Sequence, residues 1–169
     1  MVHCEADYIT EGKEATMAGR TAEDTPNNDM ERFAQGIFDG QPFSGLLGAE
    51  LTAVGSDNAE ISVRVRPELT QQHGFVHGGV LSYLADNSLT FAGGMAFGGD
   101  ALTAGFTISY VRPAKGPVVV ARAETVSVTR SQAVCRCSVY DLSDDGGERL
   151  VAVAQGTISH AHSTEGSHQ

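Results

Sequence analysis

HGFVHGGVLSYLADNSLTFAGGMAFGG, residues 73–99, is the longest apolar stretch of the chain. Read at helical period from His77 to Phe97, it puts Val80, Leu84, Phe91 and Met95 near one line. Leu81, Ala85, Leu89, Ala92 and Ala96 fill the neighbouring face, so a helix here needs cover on most sides. Its glycines, the polar pair Asp86-Asn87 at its middle and its polar flanks argue against a bilayer. The stretch reads as the central helix of a soluble domain. Two of its features are chemical. His77-Gly78-Gly79 opens it with side-chain-free residues, which leaves backbone N–H groups accessible at a helix start. Asp86 sits where an apolar residue is expected, and a carboxylate buried there costs several kcal/mol unless it is hydrogen-bonded or paired.

The chain's 169 residues fit one domain with a proper core. The formal charge of −10 argues against a general nucleic-acid binder. Much of the charge is local, because residues 1–31 hold eight acids against Lys13 and Arg20. Residues 1–28 are polar and lack an apolar period, which predicts a disordered acidic segment. Met17 and Met30 are alternative starts. No basic start followed by an apolar run marks a signal peptide, so the expected compartment is the cytoplasm. Three cysteines do not suggest a disulfide scaffold. Cys135 and Cys137 share one face of a strand-like run and read as packed thiols rather than metal ligands.

Asn28 or Asp29 is positioned to cap a short helix through Asp39, with Phe33, Ile37 and Phe38 inward. Gly40 to Gly48, containing Pro42, reads as a break. Strands are expected at 49–55 and 59–66, the second alternating Ile61, Val63 and Val65 with polar residues. Four more follow the central helix, at 102–111, 118–129, 132–142 and 149–160, joined by short turns that favour antiparallel hairpins. The domain is thus expected over 29–160, with a loose polar tail at 161–169. Strands with one long helix set apart from them define an α+β class, a curved antiparallel sheet wrapped around that helix.

This order, together with QQHGFVHGGVLSYLADNS and ISYVRPAKG, closely resembles the hotdog-fold acyl-CoA thioesterases, above all the phenylacetate-pathway and hydroxybenzoyl-CoA groups. The resemblance runs from about Phe43 to His160. It implies that the Gly78 N–H polarises the thioester carbonyl, and that Asp86 acts as nucleophile or as general base for water. It implies that Gln71 lies near the carbonyl and that Thr103 holds the water or the carboxylate. His77 and Gly79 complete the motif at the substrate, His77 in a mainly structural role, and Arg112 is the candidate for coenzyme A phosphate. Two departures are modest: Gln71 replaces an Asn of some relatives and Thr103 a Ser.

These residue types suit the chemistry. Attack on a thioester builds negative charge on the carbonyl oxygen, which an N–H at a helix N-terminus stabilises. A carboxylate held out of bulk water is a better base than a free one. Neither task requires a metal or an organic cofactor, since coenzyme A is part of the substrate. Gly78 and Asp86 are eight residues apart, about 12 Å along one helix. One carbonyl cannot meet both in the same chain, so the expected state is a homodimer with two shared sites, and the resemblance implies a tetramer of paired dimers. The expected function is hydrolysis of short, medium or aromatic acyl-CoA thioesters. The alternatives are a hotdog dehydratase or hydratase and a non-catalytic acyl-CoA-binding module. Phe75, Tyr83, Phe91 and Phe106 are candidate pocket walls.

Overall fold

A computed structural model describes residues 26–161 of the chain. Two short helices, α1 (Pro26–Asp39) and α2 (Pro42–Leu47), precede strands β1 (Ala49–Val54) and β2 (Asn58–Arg64). A single 3-10 turn at Pro67–Leu69 leads towards the long helix α3 (Gly78–Phe97). Strands β3 (Ala101–Tyr110), β4 (Val118–Val128), β5 (Gln132–Leu142) and β6 (Glu148–His160) follow. They form one six-stranded sheet in the order β1-β2-β4-β5-β6-β3, antiparallel throughout. This is the hotdog architecture, with α3 as the filling: it packs against β2 and every strand from β3 to β6.

Alternation in the strands supplies the wrap. Ile61, Val63, Val119, Val139, Val151 and Ile158 turn inward and are fully buried, and they meet Leu84 and Leu89 of α3. Close approach of helix to sheet depends on Gly93, where an added Cβ would lie 2.8 Å from Cβ of Ile158. Gly98, at φ 70°, ends the helix: its N–H bonds to the carbonyl of Met95 while that of Gly99 reaches Gly94, a Schellman arrangement. Cys135 and Cys137 are free thiols packed in this core. Burial pushes the Cys137 thiol up to about 12 and raises that of Cys135 as well, which keeps both protonated and unreactive.

The N-terminal region differs from the sequence reading in three respects. The first helix begins at Pro26, ahead of the expected cap, with proline in its first turn where its missing N–H is harmless. It turns Ala34 and Phe38 inward, whereas Phe33 and Ile37 are 51% and 40% exposed. The stretch read as a break contains α2. Pro42 starts it, Gly48 at φ 66° ends it, and Arg66, distant in sequence, donates to its last carbonyls, Leu47 O at 2.6 Å and Leu46 O at 2.7 Å. The expected disorder of residues 1–28 and the loose tail fall largely outside the described residues. Among the described residues no helix is long and apolar enough to cross a membrane.

Candidate active site

At its start, α3 is organised by its own motif. His77 is the N-cap, and its Nδ1 accepts the Gly79 N–H at 2.9 Å, while the Val80 N–H goes to the His77 carbonyl. The Gly79 N–H is therefore committed to the cap. That of Gly78, at the first helical position, has no acceptor among the described residues. Tyr110, at the end of β3, fixes this turn from outside: its hydroxyl donates to the Gly78 carbonyl at 3.0 Å and lies 2.6 Å from Ser82 Oγ.

Gly78 opens onto a cavity of about 370 Å³ lined in part by Gln71, Leu81, Tyr110, Arg112 and Ala114. Gln71 is carried by a tight loop in which its N–H bonds to Phe75 O and its carbonyl accepts from Gly74, both at 2.8 Å. Arg112 donates to Leu150 O at 3.1 Å. Asp141, only 4% exposed, pins the loop after Arg112: it accepts the N–H groups of Lys115 and Gly116 and pairs with Arg149 at 2.6 Å. Lys115 in turn lies 4.6 Å above the ring of Phe75.

Two turns further along α3, Asp86 is half-buried and held from β3. Thr103 Oγ1 donates to Asp86 Oδ1 at 2.7 Å. Thr90, one turn on, stands 2.6 Å from Thr103 Oγ1, and its own hydroxyl donates to the Asp86 carbonyl at 2.9 Å. With Thr90 donating to that carbonyl and Thr103 to the carboxylate, Asp86 is held in one orientation with its second carboxylate oxygen left over for other donors. Thr103 lies where the pairing of β3 with β6 shifts register, a bulge that re-aims side chains at a sheet edge.

Within one chain these residues form two groups. Gln71, Gly78 and Arg112 share one cavity, Asp86 and Thr103 share a hydrogen bond, and about 12 Å of helix separates the groups. Thr90, Ser82 and Tyr110 escaped the sequence reading. Thr90 had a local signal, since it lies four residues after Asp86 on the same helix face. Tyr110 had none, because its contact with Gly78 spans 32 residues. Of the four aromatic wall candidates, Phe91 is buried but lines a second cavity, Phe106 packs on the core, Tyr83 donates its hydroxyl to Ser44 and Phe75 lies under Lys115.

A six-stranded antiparallel sheet wrapped on one long helix is a fold shared with known proteins. The family model for the thioesterase superfamily matches residues 73–148. A candidate esterase of Mycobacterium tuberculosis is 30% identical over 122 residues, which cover 68% of this chain and 82% of that protein. Among solved structures, a thioesterase family protein from Silicibacter pomeroyi superposes with TM-score 0.71 at 30% identity, covering 77% of this chain and 96% of the other. A point variant of the phenylacetic acid degradation protein PaaI from Thermus thermophilus gives 0.63 at 31% identity, covering 72% and 100%. The chain belongs to the thioesterase superfamily, as a hotdog-fold member of PaaI-like type. It is a thioester hydrolase.

Proposed function

We propose that the protein hydrolyses acyl-CoA thioesters, with short, medium or aromatic acyl groups, to free acid and coenzyme A. Asp86 acts as general base for water or as nucleophile, and the Gly78 N–H stabilises the oxyanion. Thr103 orients Asp86, Gln71 flanks the carbonyl, His77 holds the helix start and Arg112 meets the coenzyme's phosphates. These roles need no cofactor or metal. The protein works on a diffusible substrate, with no nucleic acid or membrane partner, in the cytoplasm.

The reading includes a homodimer, which the separation of the two groups requires. β3 runs back along α3, with Thr103 beside Asp86 and Tyr110 beside Gly78, and it is an edge strand of the sheet. Antiparallel pairing of this edge with its two-fold mate sets the Thr103 end of one strand near the Tyr110 end of the other. Gly78 of the partner subunit then faces Asp86, and two shared sites result. A further pairing of dimers gives a tetramer.

The observation that carries the reading is the hydrogen bond that aims Asp86 at this edge. Release of free thiol from a panel of acyl-CoA esters tests it, with wild type set against Asp86→Asn. Wild type turns over at least one ester, and the folded variant falls by about 10²–10⁴, the range for loss of a general base. Undiminished turnover by the variant, or a silent wild type, contradicts it.

A further inference from the structure

A second cavity, of about 340 Å³, opens between α1, the C-terminal half of α3 and the start of β3. Its walls include Phe33, Ile37, Phe91, Met95 and Leu102, and Thr90 lines it as well. Two of the apolar walls, both on α1, remain wet: Phe33 and Ile37 are 51% and 40% exposed. Thr90 is the link to the chemistry, being 2.6 Å from the Thr103 hydroxyl that donates to Asp86. The cavity thus lies along α3 from Thr90, one turn beyond Asp86, to Met95, on the side away from Gly78.

The wall that α1 supplies is fixed rather than loose. Ala34 and Phe38 are buried, and the Phe38 ring meets that of Phe91 edge-on at 5.7 Å. Beyond α1, Gln41 Oε1 accepts from Ser44 Oγ at 2.6 Å and from Asn87 Nδ2 at 2.9 Å, while Tyr83 donates to Ser44 at 2.7 Å. This network ties the joint between α1 and α2 to the residue adjoining Asp86. α1 also lies outside residues 73–148, so this wall is separate from the part of the chain that the family model describes.

We propose that this cavity is the acyl site, and that Phe33 and Ile37 of α1 set the size of the acyl group accepted. The inference rests on the thioesterase reading above and narrows it. The volume is roughly twice the ~150 Å³ that houses benzene in an apolar cavity. Medium straight-chain and arylacetyl groups fit such a space, whereas an acetyl group leaves most of it empty. A tail seated there covers the exposed side chains of Phe33 and Ile37 while the thioester carbon stays near Asp86.

Steady-state thiol release from acetyl-, octanoyl-, dodecanoyl- and phenylacetyl-CoA tests this with Ile37→Trp and Phe33→Ala. Both sites are substantially exposed, and thermal unfolding verifies that each variant folds. Ile37→Trp is expected to lower kcat/KM for octanoyl- and phenylacetyl-CoA about tenfold or more relative to acetyl-CoA. Phe33→Ala is expected to shift preference several-fold towards dodecanoyl-CoA. An unchanged acyl profile in both folded variants, in an enzyme that still depends on Asp86, overturns the acyl site and leaves the thioesterase reading standing. A wild type inactive on these four and on butyryl-, benzoyl- and hydroxybenzoyl-CoA removes the parent reading, and this one with it.

Discussion

Asp86, the proposed base or nucleophile, is held in place by two threonines. Thr103 reaches it from β3 and Thr90 from the next helical turn, so the carboxylate is oriented before any substrate arrives. Thr103→Val keeps the shape of the side chain and removes the donor. kcat is expected to fall about tenfold or more, with Thr103→Ser restoring most of it. A valine variant at wild-type rate in the thiol assay denies Thr103 an orienting role. At this scale much was legible. Asp86 stands out by type, a carboxylate on an otherwise apolar helix, whereas the roles of Gly78, Gln71 and Thr103 were legible only through the resemblance to hotdog thioesterases. Tyr110 and Asp141 were not legible, because each acts on backbone groups brought close only by folding.

The central element is a helix that tolerates no extra atom on one side. Gly93 lies against Ile158, and an alanine there places its Cβ inside contact distance of a fully buried β-branched side chain. Gly93→Ala is therefore expected to destabilise the fold by about 1–3 kcal/mol despite alanine's better helix propensity. Denaturant unfolding measures this, and an unchanged or raised midpoint contradicts it. The strands were legible for a related reason, since alternation is a local signal that tertiary contacts reinforce. Strand β5 matches its expected bounds, and the others differ by a residue or two. Helix α2 was not read because six residues with an internal Gly45 carry little helical signal, and Arg66, which completes its C-terminus, comes from another part of the chain. The inward face of α1 was misjudged for a related cause. Phe33 and Ile37 are apolar without being core, and they line an open cavity.

In the whole molecule, the sheet ends at β3 on one side, and the proposed catalytic set is split along the helix behind that edge. The split is the physical reason for expecting two chains per site. It also permits the two halves to be disabled separately. Asp86→Asn removes the acid. Gly78→Pro removes the N–H and sets a ring carbon in its place while sparing the helix. Proline suits the first helical position, its Cβ would meet Tyr110 at an ordinary 3.5 Å, and His77, at ψ 136°, already has the extended backbone that a following proline requires. Each variant alone is expected to fold and to lose about 10²-fold or more in kcat.

Co-expression of these two variants is the most direct measurement of the shared site. If each site combines Asp86 of one chain with the Gly78 N–H of the other, a mixed dimer regains one intact site. Random pairing then returns about a quarter of wild-type thiol release per chain. Activity no higher than that of the two variants alone, in a preparation shown by differential tags to contain mixed dimers, contradicts a site built across two chains.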